Sequence, residues 1–213
     1  MIVVVDYGSG NLRSVSKAVA SLGGEVEVSG DPARLALADH LILPGVGAFA
    51  DCRHNLDAAG LTAPVLGHIR AGKPFLGICV GMQMLFDESH EFGRHPGLGL
   101  VRGCVEPFDR HMPDPADPRG QLSLKVPHMG WNRVRRTRPH PLWHGIDDAS
   151  HFYFVHSFHG VCQHQDDAAG FADYGVTFTA AVARDNLFAT QFHPEKSQRA
   201  GLQLLSNFIH WKP

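Results

Sequence analysis

The sequence predicts an α/β fold: a mostly parallel central sheet flanked by helices, continued by an antiparallel or mixed extension. Three observations carry that prediction. Short apolar runs without alternation, beginning with Ile2–Val5, fit strands buried on both faces. Up to about residue 90 these runs alternate with segments of helical spacing, the pattern of strands joined by helical crossovers. From Leu98 onward, strand-like segments follow one another with few helices between them.

The elements follow in order. The run 2–5 stops at Asp6-Tyr7-Gly8-Ser9-Gly10, a glycine-rich turn. Residues 11–22 place Leu12, Val15, Val19 and Leu22 at helical spacing and end at Gly23-Gly24. Residues 25–28 and 41–43 read as the second and third strands, the latter running into Pro44-Gly45-Val46-Gly47. Helical material follows, broken near Gly60 and Pro64. Residues 74–78 form a fourth strand, and a helix is expected over 81–86. Further strands are expected at 98–108, 131–135, 152–155, 176–182 and 187–191. A closing helix over 197–211 carries Leu202, Leu205, Phe208 and Ile209 as its core stripe. Residues 109–120 hold Pro113, Pro115 and Pro118 and read as a surface loop. No internal repeat interrupts this order, and residues 1–213 are expected to form a single domain.

Composition narrows the function classes. With 44% hydrophobic and 19% charged residues, a largely disordered chain is excluded. A net charge of −2 offers no electrostatic reason to bind nucleic acid or an anionic membrane surface. No apolar run approaches a membrane span, and the first residues form a strand rather than a signal peptide. Cys52, Cys79, Cys104 and Cys162 form no C-x-x-C pair, which points to a reduced, cytoplasmic protein.

The chemistry concentrates in two segments. Gly77-Ile78-Cys79-Val80-Gly81 lies between a predicted strand and a predicted helix, the cysteine form of the nucleophile elbow. The turn lifts Cys79 above the sheet edge and sets it at a helix N-terminus, where the dipole favours thiolate. A buried core cysteine is the competing reading. A thiolate nucleophile needs a base, and the base an orienting group. Gln191-Phe192-His193-Pro194-Glu195 supplies both. In extended chain, His193 and Glu195 point the same way, so Glu195 reaches the imidazole nitrogen facing away from Cys79. With 15 histidines in the chain, His193 alone carries little weight; H-x-E after a strand, paired with an elbow cysteine, carries much more. Acyl transfer also needs donors for an oxyanion. The Val80 N–H and the loop Gly45-Val46-Gly47 are the candidates.

Gly77-Ile78-Cys79-Val80-Gly81-Met82-Gln83, taken with Gln191-Phe192-His193-Pro194-Glu195-Lys196-Ser197, resembles the class I (triad) glutamine amidotransferases. Asp6-Tyr7-Gly8-Ser9-Gly10-Asn11, Pro127-His128-Met129-Gly130-Trp131-Asn132 and Tyr153-Phe154-Val155-His156-Ser157 extend the resemblance to the glutaminase subunits of imidazole glycerol phosphate synthases, nearly end to end. The resemblance implies that Cys79 attacks the side-chain amide of L-glutamine, that His193 carries the proton to the leaving ammonia, and that Glu195 orients the imidazole. It implies that Gln83, Val155, His156 and Ser157 hold the substrate, with Gly45 and Gly47 bordering the oxyanion strand. It implies that Asn11, Trp131, Tyr153 and Lys196 meet a (β/α)8-barrel cyclase. That partner uses the ammonia to form imidazole glycerol phosphate and an aminoimidazole carboxamide ribotide in histidine biosynthesis. No cofactor or metal is implied. Phe158 departs from the family, where tyrosine is common.

Other readings stay open on the residues alone. They are the glutaminase of an anthranilate or pyridoxal phosphate synthase, a cysteine hydrolase of peptides or esters, and a non-enzymatic subunit that keeps the fold. A metal site among His151, His156, His159 and His164 lacks helical H-x-x-x-H spacing and cysteine pairs.

Overall fold

In the computed structural model, which describes residues 1–119 and 121–213, the unbroken apolar run Ile2–Val5 (β1) is buried along its whole length. Helix Leu12–Ser21 (α1) buries Val15 and Val19, one turn apart, and hands the chain to Val26–Ser29 (β2). A short helix then appears that periodicity did not predict, Pro32–Leu37 (α2). It is too brief to show a stripe, and its signal is local: Asp31 accepts from Ala33 N–H at 2.9 Å and Pro32 opens the first turn. His40–Gly45 (β3) leads to Phe49–Ala58 (α3) and Thr62–Arg70 (α4). Gly60, at φ +69, separates those two helices. Pro64 does not break the chain as expected, because it lies in the first turn of α4, where its missing N–H has no intrahelical role.

Phe75–Cys79 (β4) runs into Val80–Gln83 (α5). The helix predicted over 81–86 thus ends at Gln83, and Phe86–Ser89 is a strand (β5). The apolar stretch Met84-Leu85-Phe86 reads equally well as helix or strand. Here Met84 and Leu85 form a turn and Phe86 opens the strand, by parallel pairing with Val101–Pro107 (β7) beyond the two-residue strand His95–Pro96 (β6). The second half holds His128–Arg136 (β8), Ser150–His156 (β9), Phe158–Cys162 (β10), Ala168–Tyr174 (β11), Val176–Arg184 (β12) and Leu187–Thr190 (β13), closed by Gln198–His210 (α6). Residues 109–119 are largely loop, as predicted, and the loop continues through 121–125, with the Asp117 carboxylate accepting three backbone N–H groups; Gly120 lies outside the described residues.

The sheet order is β2-β1-β3-β4-β13-β12-β10-β7-β5-β6, with β11 on β12 and β8, and β9 on β8. The first five strands of that order are parallel neighbours, and antiparallel pairs dominate after β13. Parallel strands bring their C-terminal ends to one edge, where α/β sheets place their sites. Gly45 pairs with Cys79, and Thr190 with Ile78. The C-terminal ends of β3, β4 and β13 therefore meet at Cys79. Among the described residues, no helix is long and apolar enough to cross a membrane.

Candidate active site

Cys79 ends β4 with φ 55 and ψ −113, a backbone conformation unusual for a residue with a side chain. The surrounding glycines make that turn possible. A Cβ at Gly81 would stand 1.9 Å from the Leu43 carbonyl oxygen, and one at Gly77 2.9 Å from the Gly81 carbonyl oxygen. The elbow is thus pressed against β3. Gly81→Ala is expected to destabilise the protein by about 3 kcal/mol or more, because rigid backbone opposes the new methyl; an unchanged melting temperature would refute this packing. The predicted dipole contribution at Cys79 is smaller than the sequence suggested. Helix α5 has four residues, so what it offers is the unbonded N–H groups of its first turn, beginning with Val80.

His193 follows β13 and is 2% exposed. Its Nδ1 lies 2.9 Å from Oε1 of Glu195, a carboxylate with a fully buried side chain. The pair forms by a different route from the one predicted. Pro194–Lys196 is a turn of 3-10 helix rather than extended chain. Pro194, with its fixed φ, starts that turn and folds Glu195 back under the ring. Glu195 Oε1 also accepts from Asn11 Nδ2 at 3.4 Å. His193 Nε2 is buried without a hydrogen-bond partner in this state. Burial alone would lower the pKa of His193. Cys79 and Glu195 outweigh it and raise the value from 6.5 to about 10.

Beside Cys79 and His193 opens a pocket of about 320 Å³. Val46, Gly47, Val80, Gln83, Val155, His156 and Ser157 all line it. Gly45 does not; it serves the elbow instead, since a Cβ there would fall 2.9 Å from Gly81 N. The Val46 carbonyl accepts from Ser9 Oγ at 2.7 Å and Cys52 Sγ at 3.3 Å, which holds the peptide ahead of Gly47 in one orientation. Phe158 also lines the pocket. Its contribution is its carbonyl, which accepts from Gln83 Nε2 at 3.0 Å and His156 Nδ1 at 2.8 Å, so the missing tyrosine hydroxyl leaves these bonds untouched.

Two residues of the site escaped the sequence reading. Glu91 places a carboxylate in the pocket wall while its Oε2 accepts from Phe49 N–H at 2.6 Å, capping α3 from a distant loop. No local pattern announces a contact across 42 residues. Gln191, fully buried, points Nε2 at Cys79 Sγ at 3.8 Å. It stands two residues before His193, next in register after the paired Thr190 and Ile78, and that register is what could have revealed it.

The four residues expected to face a partner fall together. Trp131 and Tyr153 meet edge to face at 6.1 Å, Lys196 lies 5.8 Å over the Tyr153 ring, and Asn11 reaches Glu195 next to Lys196. Trp131 is 46% exposed and Met129 61%.

The model of the glutamine amidotransferase class-I family matches residues 3–211. This chain belongs to the class-I glutamine amidotransferases. The amidotransferase is 52% identical over 98% of both chains to the imidazole glycerol phosphate synthase subunit HisH of Syntrophotalea carbinolica. It is 54% identical to the subunit of the same name from Dechloromonas aromatica, covering 100% of this chain and 97% of that one. Among solved structures, it shares the fold of PurLQS from Thermotoga maritima at TM-score 0.73 and 18% identity, covering 98% of this chain and 97% of that one. Outside its pocket, the amidotransferase gathers His90, Cys104 and Glu106, donors that suit a metal. Both His90 nitrogens are already occupied by Glu88 and Glu106, at 3.0 and 2.8 Å, and these carboxylates raise its pKa. The cluster satisfies itself as an ion-pair network.

Proposed function

We propose that this chain, acting as one amidotransferase unit, is the glutaminase subunit of an imidazole glycerol phosphate synthase. The observation that carries the chemistry is the buried His193–Glu195 pair at 2.9 Å beside the elbow cysteine. With the shared proton resting on His193, Cys79 attacks the glutamine amide carbon as thiolate. The oxyanion is met by the Val80 N–H and by backbone from the segment 45–47. His193 gives the proton to the leaving nitrogen, ammonia departs, and water, passing a proton to the now neutral His193, cleaves the γ-glutamyl thioester to glutamate and restores the thiolate–imidazolium pair. Glu195 holds the imidazole and balances its charge while it carries the proton. Glu91 supplies a carboxylate in the pocket suited to the substrate's α-ammonium group. Val155, His156, Ser157 and Gln83 form the wall around the rest of glutamine.

The pathway rests on the roughly half-identical relatives of the same length and name. In this reading ammonia passes to a (β/α)8-barrel cyclase docked over Trp131, Tyr153, Lys196 and Asn11. Exposed apolar Met129, Trp131 and Val46 favour such a docking face. The free chain is expected to be a poor glutaminase, because the segment around Val46 completes the oxyanion site in the docked state. The test is glutamate release with the chain alone and with the cyclase carrying its ribotide ligand. Loaded cyclase is expected to raise the rate ~10²-fold or more, the worth of one oxyanion donor. Full activity in the isolated chain would defeat the gating; no response to the cyclase would move the pathway elsewhere.

A further inference from the structure

A single chain of hydrogen bonds runs from strand β8 to the nucleophile, and one carbonyl sets its direction. The Phe158 carbonyl oxygen can only accept. It is met by His156 Nδ1 at 2.8 Å and Gln83 Nε2 at 3.0 Å, so both of these atoms donate. His156, when neutral, therefore presents Nε2 as an acceptor. His128 Nδ1 lies 2.9 Å from it and donates. The Nε2 of His128 is then an acceptor, filled by Asn132 Nδ2 at 3.3 Å; that amide's second hydrogen goes to the Asp173 carbonyl at 2.8 Å. In the other direction, Gln83 spends its second amide hydrogen on Gln191 Oε1 at 3.1 Å. With its oxygen fixed there, Gln191 has one way to lie, Nε2 toward Cys79 Sγ at 3.8 Å.

We propose that His128, His156 and Gln83 are positioning residues that lock the Gln191 amide with its N–H on the Cys79 sulfur, so that the thiolate is held and stabilised where it attacks. This rests on the glutaminase reading above and adds Gln191 and His128 to it. Packing does not explain the arrangement. Gln83, Gln191, His128 and His156 are each at most 6% exposed, and His128 is stacked between Phe154 and Tyr174 with ring centroids at 4.9 and 4.0 Å. Phenylalanine would fill that slot without any polar partner. Burial also keeps both imidazoles neutral, holding His128 down to about 4 and His156 well below its ordinary range. The titratable groups facing the pair are His159, His193 and Tyr174. A proton on either imidazole would put a donor where the chain needs an acceptor.

The test compares His128→Phe with His128→Asn and Gln191→Met in the complex with the cyclase. It reads kcat and KM for glutamine, thermal melting, and the rate of Cys79 alkylation by iodoacetamide across pH. Asparagine places an N–H near the old Nδ1 but loses the stacking; phenylalanine keeps the stacking but donates nothing. His128→Phe and Gln191→Met are expected to lose ~10- to 100-fold in kcat with KM within about 3-fold, the scale of one hydrogen bond to a charged group. His128→Asn is expected to keep kcat within about 3-fold while melting lower than His128→Phe. In Gln191→Met the rate of Cys79 alkylation at neutral pH is expected to fall about 3-fold or more, because the thiolate loses its donor. A packing role predicts the reverse order, with phenylalanine more active than asparagine, and that order overturns the proposal. Unchanged alkylation in Gln191→Met overturns it as well. Alkylation needs no turnover, so it decides the proposal even if the parent complex fails to hydrolyse glutamine, a result that would remove the glutaminase reading instead.

Discussion

Cys79→Ala is expected to lower glutamine-dependent synthesis by the complex at least ~10⁴-fold while ammonia-dependent synthesis stays within about 2-fold. The size follows from the bond that is lost. Without Sγ no thioester forms, and water must attack an unactivated amide directly. The selectivity follows from where the residue sits. Alanine keeps the Cβ that the elbow already accommodates at φ 55, and the glycines at 77 and 81 that permit the turn are untouched. The face proposed for docking holds Trp131, Tyr153 and Lys196 rather than Cys79, so the partner is expected still to bind and to accept ammonia from solvent. The measurement is paired: product formation with glutamine and with an ammonium salt, on the same preparation. Glutamine-dependent synthesis surviving at more than about 1% would remove Cys79 as nucleophile; loss of both activities would mean that the substitution damages the fold or the interface.

The sequence revealed those parts of the molecule whose cause is local. Strands β1, β3, β4 and β13 are buried on both faces, so each is an apolar run that needs no partner to be recognised. The elbow was legible because a sharp turn against backbone forces glycine on both sides of the cysteine. Strands β10 and β11 were not legible. Phe-His-Gly-Val-Cys and Ala-Ala-Gly-Phe-Ala-Asp-Tyr are weak as isolated patterns; the first holds its place chiefly by pairing with β7 and the second by pairing with β12. The site divides the same way. Cys79, His193 and Glu195 lie in two short motifs whose geometry is set nearby. Glu91 and Gln191 reach the pocket only through the sheet order, and Glu91 comes from beyond the short α5 where a longer helix was expected. His193 and Glu195 were paired correctly for a reason that proved wrong, since Pro194 replaces extended alternation by a 3-10 turn.

Glu195→Gln carries the second large effect: kcat is expected to fall ~10³- to 10⁴-fold, with KM for glutamine nearly unchanged. Glutamine at this position keeps the shape and one acceptor but loses the charge. Glu195 is outside the residues that line the pocket, so ground-state binding has little reason to change. The imidazolium has every reason to. Burial presses His193 toward the neutral form, and what holds its pKa near 10 is Cys79 together with the carboxylate at 2.9 Å. The sign is therefore fixed. A folded value above the ordinary 6.5 means that the parent protein keeps its imidazolium through neutral pH. The stability this gives is fully present below about 6.5 and is lost as pH rises through about 10. In Glu195→Gln that support shrinks, and the alkaline limb of the kcat profile is expected to move down by at least about one pH unit, together with the histidine titration followed by NMR. A variant that loses kcat with its alkaline limb in place would show that Glu195 acts through the backbone turn at Pro194 rather than through charge. The neutral, isosteric Glu195→Gln and the shorter, still charged Glu195→Asp separate these cases. If charge governs the proton on His193, aspartate keeps the limb high and glutamine lets it fall.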